Sequence, residues 1–281
     1  MEKVYYGQIK CQAINASKKE PCKNGAYYKC GDKYVCGVHS RGKDRTELEK
    51  PTKEMKDDKL EKEAIECEEA RRRNKEEGKK GSVVLYKMQM MKSIDTPAGY
   101  LRIFPNKDHG GRKDGIGLPS LSPFNLGPIN HGYPNIPKAD NLESFYQFSK
   151  IYADEVDKEG NPLPETIEQW KKDLQKPGER HKRKGEKPLY ALALKSDGSI
   201  IKMNYVQGRK LYCKWYEKLA KKQDDYQLLL NLIKDGYNIC ICGYDGTSIT
   251  NVEKDYKDLS VPFGHERVLY TMLTQDKYPW N

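Results

Sequence analysis

The sequence predicts an α+β protein in three parts: a small zinc-stabilised module over residues 1–42, a charged helical linker over residues 43–81, and an α+β body over residues 82–281. Three observations support this division. Four of the eight cysteines lie between residues 11 and 36, and the segment that follows is almost wholly charged. The remainder mixes short β-branched and aromatic runs with segments of helical periodicity, which is typical of mixed strands and helices.

Length and apolar content exclude several classes of protein. The 281 residues, 36% of them hydrophobic, suffice for one large domain or two modest ones. No apolar run approaches the roughly 20 residues that a membrane span requires. The N-terminal sequence MEKVYYGQIK also lacks the apolar region of a secretory signal. We therefore expect an intracellular protein, in the cytoplasm of a host cell or in a virion if the source is viral, with no membrane partner.

Positive charge is concentrated near the N-terminus. The net charge is +10, and residues 1–50 hold 11 basic against six acidic side chains, which is half of the excess. Clustered positive charge favours a polyanion such as nucleic acid as a partner. The alternative is that the charge only maintains solubility.

The N-terminal cysteines predict a structural zinc site. Disulfides are rare in a reducing compartment, and zinc is held by four tetrahedral nitrogen or sulfur ligands. Cys36 and His39 form a C-x-x-H pair, with Cys11 and Cys22 as the other two ligands and Cys30 as an alternate ligand. The segment resembles a small zinc module often attached to larger viral and phage proteins, and the residues that match it are Cys11, Ala13, Asn15, Cys22, Ala26, Cys36 and His39.

The charged segment 43–81 predicts a solvated helix that ends near Gly78. Leu60, Ala64 and Cys67 recur at helical spacing and form a thin apolar stripe. Such a stripe would touch the body weakly, or would bind a protein partner along one edge. A plain helical linker is the alternative.

The body reads as strands and helices in alternation. The expected elements, in order, are strands at 82–91 and 99–104, a loop over 105–140 with a packed apolar segment at 118–129, helices at 141–152 and 164–175, a basic turn at 176–188, a β-hairpin at 188–205, helices at 208–222 and 224–236, a buried strand at 237–246, and a turn at 262–264 that leads into a final helix.

The helix expected at 141–152 carries an unusual polar stripe. Glu143, Gln147 and Lys150 lie at positions i, i+4 and i+7, among aromatic and aliphatic neighbours. A helix with apolar groups on most sides is buried, so this stripe either lines a cleft or is a hydrogen-bonded surface feature.

These residues resemble the NADAR superfamily of YbiA-like proteins. Leu121–Phe124 stand where that family has an L-S-N-F segment, and Glu143, Gln147 and Lys150 match its E-x-x-x-Q-x-x-K helix at identical spacing. Gly264 and His265 begin its closing turn, although the later Asn and Gly of that turn are absent here. The resemblance covers residues 82–281, with an insert around 153–188, and residue usage rich in Lys, Asn, Ile and Tyr resembles that of large DNA viruses.

The resemblance implies an N-glycosidase that acts on ADP-ribosylated guanine, in nucleic acid or as a nucleotide, or on a related ribosyl substrate. Glu143 would stabilise the oxocarbenium charge or activate water. Lys150 would act as an amine nucleophile or hold a phosphate, and Gln147 would orient a ribose hydroxyl.

The same resemblance implies how the substrate would be bound. The backbone N–H groups at Gly264 and His265 would bind a diphosphate at the start of a helix. Phe124, Tyr146 or Phe263 would stack on a base. The zinc module would bring nucleic acid or a protein partner close to the body.

A non-enzymatic function is the alternative. A zinc module, a charged helix and a Tyr-rich body suit a viral structural or adaptor protein that uses the same fold for interactions. The two hypotheses differ in one structural respect, because the enzyme requires the Glu143, Gln147 and Lys150 side chains to face an open pocket.

Overall fold

A computed structural model describes residues 3–89, 94–179, 182–183 and 185–281. It confirms the α+β class. The last two residues of the strand expected at 82–91 lie outside the described residues, as do Arg180, His181 and Lys184 of the basic turn. Within the described ranges no helix is both long and apolar enough to cross a bilayer.

The chain divides into two compact units. The first comprises residues 1–66 and 89–98, and the second comprises residues 67–88 and 99–281. The division falls inside a single helix, so the segment predicted as a linker contributes to both units.

Among the described residues of the first unit there are five very short strands. They are β1 (Ile14–Asn15), β2 (Glu20–Pro21), β3 (Tyr28–Cys30), β4 (Lys33–Val35) and β5 (Thr46–Glu47). β1 pairs with β2, and β3 lies between β4 and β5, all antiparallel. Its small core contains Cys11, Cys22, Val35 and Cys36, so that sulfur atoms occupy much of the interior.

Helix α1 (Lys53–Glu76) forms within the charged segment, and its C-terminal part packs on the second unit. The guanidinium of Arg71 donates to the carboxylate of Asp235, and the amide of Asn74 donates to the carbonyl of Gly236 at 2.8 Å. Of the expected apolar stripe, Ala64 is exposed while Leu60 and Cys67 are half-buried, and Ala70 is the buried residue of this helix. Polar side chains thus attach the end of this helix to the body.

The remaining elements of the second unit follow in chain order. They are β6 (Val83–Lys87), β7 (Tyr100–Phe104), β8 (Ile116–Gly117), α2 (Leu142–Phe148), β9 (Lys150–Ile151), α3 (Pro164–Asp173), β10 (Tyr190–Leu194), β11 (Ile200–Met203), α4 (Tyr205–Ala220), α5 (Asp224–Lys234), β12 (Asn238–Gly243), α6 (Val252–Lys257) and α7 (His265–Thr274), with single 3-10 turns at Lys107–His109, Pro119–Leu121 and Ala153–Glu155.

A four-stranded parallel sheet forms the centre of this unit, in the order β6-β12-β7-β8. β12 lies between two neighbours, and its residues Ile239 to Gly243 are all buried. A strand covered on both faces reads as a continuous apolar run, which explains the sequence ICIC. The two cysteines of that run are packed in the core, as predicted.

The predicted hairpin is confirmed, and it alters the element before it. β10 pairs antiparallel with β11 and also with β9. The helix expected over 141–152 therefore ends at Phe148, because Lys150 and Ile151 pair with β10 and the N–H of Leu192 donates to the carbonyl of Ser149 at 2.7 Å. A tertiary strand pairing overrides the helical periodicity of the sequence here.

The long loop over 105–140 is packed rather than open. Four apolar residues of its 118–129 segment are buried, as predicted: Leu118, Leu121, Leu126 and Ile129. The phenol of Tyr216 on α4 donates to the carbonyl of Leu121 at 2.9 Å. These contacts fix the loop against the helical side of the body.

Candidate functional site

A cleft of about 650 Å³ opens in the second unit beyond the carboxyl ends of two neighbouring parallel strands. Asn106 follows β7 and lines the cleft, and Tyr244 and Asp245 follow β12 and also line it. Ligands of open parallel sheets bind at this edge, because the loops that leave the strands there surround a crevice. The eight residues predicted to be catalytic or to bind substrate all line this cleft: Phe124, Glu143, Tyr146, Gln147, Lys150, Phe263, Gly264 and His265.

Three of them form a hydrogen-bonded chain. The Nζ of Lys150 donates to Oε1 of Gln147 at 2.7 Å, and the Nε2 of Gln147 donates to Oε1 of Glu143 at 2.9 Å. The Gln147 amide therefore joins the amine to the carboxylate, rather than pointing both of its polar atoms at a ligand. Lys150 reaches this chain from strand β9, not from the helix that carries the other two residues.

The Glu143 side chain is nearly enclosed. It is only 7% exposed, and its helix is capped by Asn141, whose side chain accepts from the N–H of Ser144 at 2.8 Å. A side chain at Gly178 would meet the Cβ of Glu143 at 2.8 Å, so this glycine allows the 176–188 segment to cover the carboxylate. The negative charge thus lies close to the helix N-terminus, where it is favoured.

The Lys150 amine is in a desolvated environment. Burial lowers its pKa, and the negative charge of Glu143 opposes that shift. The ammonium lies 4.6 Å from the centre of the Tyr146 ring, and that ring packs on Tyr212 at 4.8 Å between centres. Tyr146 therefore supports the amine, and a lowered pKa increases the neutral, nucleophilic fraction of a lysine.

The start of helix α7 forms a second part of the cleft wall. Gly264 is its N-cap residue, and the Nε2 of His265 lies 3.1 Å from the carbonyl oxygen of Pro105. Glu266 follows, and it is 2% exposed. A buried carboxylate at this helix start disfavours the diphosphate that was expected there, because two negative charges would be brought together.

Sequence reasoning missed three residues that shape this cleft. Glu266 was hidden because only the fold places it beside β12, although it directly follows the predicted His265. Arg209, which is 3% exposed, donates to the carbonyls of Tyr256, Asp258 and Val261 and so fixes the segment that leads to Gly264. His109 also lines the cleft, and burial lowers its pKa.

Two basic groups of the turn at 176–188 are paired with acidic side chains. The Nζ of Lys182 lies 3.0 Å from Glu155 and also donates to the carbonyl of Lys150 at 2.9 Å. Arg183 pairs with Asp154 at 2.5 Å. These two charges are therefore committed to local carboxylates rather than presented to a phosphate.

The four predicted metal ligands form a separate cluster in the first unit. The ligand atoms of Cys11, Cys22, Cys36 and His39 all lie within 4.8 Å of one another. The Sγ atoms of Cys22 and Cys36 are 4.0 Å apart, and the Nδ1 of His39 lies 3.5 Å from Cys11 Sγ and 3.3 Å from Cys36 Sγ. Cys30 is half-buried beside this cluster and is not one of its four members.

These separations suit a tetrahedral metal ion. With metal–sulfur bonds of about 2.3 Å, the edges of a tetrahedron are about 3.8 Å long. Burial alone would raise the pKa of the Cys36 thiol, but hydrogen bonds from His39 and Asn24 lower it to about 6. These hydrogen bonds favour the thiolate of Cys36, which is the form that binds metal. The cluster is compatible with a structural metal site.

Comparison of the chain with protein families, with curated proteins and with solved structures finds no match.

Proposed function

We propose that the cleft of the second unit hydrolyses an N-glycosidic bond in a ribosyl substrate, such as ADP-ribosylated guanine in DNA or in a free nucleotide. The observation that carries this proposal is the chain from Lys150 through Gln147 to a nearly enclosed Glu143 at the wall of an open cleft. The match of these three residues to the NADAR helix motif adds support, and we assign the body to that type on the same grounds.

The chemistry follows from charge development at the anomeric carbon. As the bond to the base nitrogen breaks, its electron pair leaves with the base and positive charge spreads over C1′ and the ring oxygen. The Glu143 carboxylate would stabilise that charge and accept a proton from the water that adds to C1′. The guanine nitrogen is protonated on departure, so the products are unmodified guanine, still part of its DNA or nucleotide, and ADP-ribose with a hydroxyl at C1′.

Lys150 offers a second route through a covalent intermediate. Its neutral amine would add to C1′ as the base leaves with the bonding electron pair, and opening of the ribose ring at the bond from C1′ to the ring oxygen would give an imine that a later water molecule hydrolyses. Borohydride reduces an imine to a stable secondary amine. Covalent trapping of substrate on Lys150, lost in Lys150→Arg, would therefore identify this route.

The decisive experiment is incubation with ADP-ribosylated guanine, supplied in DNA and as the nucleotide, followed by chromatography of the products. Glu143→Gln preserves the shape of the side chain and its contact with Gln147, and we expect it to lower the rate by about 100-fold or more. Glu168→Gln on the exposed face of α3 is the matched control and should keep the full rate.

Absence of release from either substrate by the unmodified protein would overturn the proposal. The cleft would then favour the non-enzymatic alternative, in which the body acts as an interaction module of a structural or adaptor protein. Equal rates for Glu143→Gln and Glu168→Gln would likewise remove Glu143 from the mechanism. Melting temperatures of both variants establish that each is folded.

We further propose that the cluster of Cys11, Cys22, Cys36 and His39 holds one structural zinc ion. Three sulfur ligands and one nitrogen ligand, with no open position, match structural rather than catalytic zinc sites. The small core of the first unit supports this assignment, because so few apolar residues stabilise the fold weakly without a metal.

Cys30 provides the matched control for the zinc proposal. We expect about one zinc ion per chain by elemental analysis of the purified protein, unchanged in Cys30→Ser and lost in Cys36→Ser. Retention of the metal in Cys36→Ser, or its loss in Cys30→Ser, would contradict the proposed ligand set.

A further inference from the structure

Glu266 is a buried carboxylate that the proposed reaction does not yet use. Its side chain is 2% exposed, and its residue lines the cleft. Oε2 lies 3.2 Å from Nδ1 of His265, but it has no hydrogen-bond partner among the described residues. Leaving a charged oxygen without a donor is costly, so the position calls for a donor from outside the chain.

Two glycines make room for this side chain. A Cβ at Gly243, the last residue of β12, would lie 2.1 Å from Oε1 of Glu266. A Cβ at Gly264 would lie 3.3 Å from Oε2 of Glu266 and 3.2 Å from Oδ2 of Asp245. The carboxylate therefore sits against the carboxyl end of the central parallel strand, and Asp245 stands beside it across Gly264.

The two parts of the cleft wall are electrostatically connected. Burial raises the pKa of Tyr212, and the negative charges of Glu143 and Glu266 raise it further. Tyr212 also lines the cleft. On the same wall, the Nδ1 of His109 is a second buried atom without a partner among the described residues.

We propose that Glu266, together with Asp245, binds the vicinal hydroxyl groups of a ribose ring. The inference rests on the proposed function, which places a ribose in this cleft, and it assigns the sugar to the start of helix α7, where the sequence had led us to expect a diphosphate.

The chemistry of the wall selects hydroxyl groups over other donors. An ionised carboxylate only accepts hydrogen bonds, so its ligand must supply O–H or N–H groups. A cationic ligand is disfavoured because five basic side chains line the same cleft: Lys107, His109, Lys150, Arg209 and His265. Carboxylates at the carboxyl end of a parallel strand hold ribose hydroxyls in dinucleotide-binding folds, which shows that this geometry suits a diol.

The test measures binding rather than catalysis, with ADP-ribose and with its analogue that lacks the 2-hydroxyl of the terminal ribose. Isothermal titration of the full chain is expected to show about tenfold tighter binding of ADP-ribose, since a hydrogen bond to a charged acceptor is lost in the analogue. In Glu266→Gln this preference should fall below about twofold by the same reasoning. Glu253→Gln, on the exposed side of α6, is the matched control and should keep it.

Asp245→Asn keeps the inference testable if the buried Glu266→Gln variant does not fold. Asp245 is exposed, so its substitution spares the core, and it should reduce the preference for the 2-hydroxyl. An unmodified protein that does not bind ADP-ribose, or binds both compounds equally, overturns the inference, as does a Glu266→Gln or Asp245→Asn variant that keeps the full preference.

The two proposals fail separately. Hydroxyl preference without base release would retain the ribose site and remove the glycosidase. Base release without hydroxyl preference would retain the glycosidase and remove the assignment of Glu266.

Discussion

The ammonium group of Lys150 lies between an amide oxygen, an aromatic ring and a carboxylate. Burial favours its neutral form, whereas Glu143 favours the charged one. Lys176, at the start of the basic turn, has the opposite environment: it is exposed, and its contact with Asp173 raises its pKa. The two lysines therefore form an internal comparison.

We predict that the reactivity of Lys150 in competitive acylation rises to half of its maximum, the midpoint, at a lower pH than that of Lys176. The experiment covers pH values from about 7 to 11, the range in which lysines titrate. Because the Glu143 charge stabilises the ammonium, Glu143→Gln should lower the midpoint of Lys150 further and leave that of Lys176 unchanged. Mass spectrometry of peptides reports both midpoints in one sample. A Lys150 midpoint at or above that of Lys176 would show that the amine is not desolvated.

Individual site residues differed in how well they could be predicted. Glu143, Gln147 and Lys150 were found by spacing, because residues that near in sequence stay near in space. Glu266 depends on Gly243 and Gly264 for its position, and the contact between a helix start and a strand end is made only by the fold. No local pattern contains that information.

At the scale of elements, helix α1 belongs to both units of the chain. Its N-terminal residues belong to the first unit and its last residues to the second. In the second unit, the Asn74 amide donates to the Gly236 carbonyl and, at 3.0 Å, to Oδ1 of Asn238. Side chains thus hold the C-terminal turns in place.

We predict slower amide exchange in the last turns of α1, from residue 67 onward, than in residues 53–63. Asn74→Ala should reduce this difference and destabilise the attachment by about 1 kcal/mol, since two partly buried hydrogen bonds are lost. Hydrogen–deuterium exchange with peptide resolution measures both. Lys62→Ala on the exposed part of the helix is the control, and uniform exchange along α1 would contradict the prediction.

Most element types could be predicted, whereas some boundaries could not. Helical and strand periodicity located the hairpin and the final helix, because those elements are set by their own patterns. Helix α2 was predicted too long, because β9 replaces its last turn by pairing with β10, and β10 lies about 40 positions further along the chain. Helix α6 was not predicted, because six polar-rich residues carry no measurable periodicity.

At the scale of the whole molecule, the cluster of Cys11, Cys22, Cys36 and His39 and the cleft lie in different units. The residues of the cleft all belong to the second unit, and the four clustered ligands all belong to the first. Half of the net positive charge also lies in the first fifty residues. Binding of a polyanion and chemistry on a small substrate are therefore expected to be separable.

We predict that Cys36→Ser, in the full chain, weakens DNA binding and flattens its salt dependence without slowing the reaction on a free nucleotide. Fewer ordered basic groups would release fewer counterions, so the slope of log K against log salt would decrease. Fluorescence anisotropy at several salt concentrations and the product assay measure the two effects. A parallel loss of nucleotide chemistry would show that the units are not independent.

The pairing of β9 with β10 has a consequence for how this protein can change. It joins Lys150 and Ile151 to Ala191 and Tyr190, and so closes the intervening segment into a loop whose two ends are fixed. Within that loop Trp170 and Leu174 are buried and Gly178 lies against Glu143, so these positions are constrained. The turn at Lys158 and Glu159 is exposed, and it is where the loop can change length while the amine stays in place.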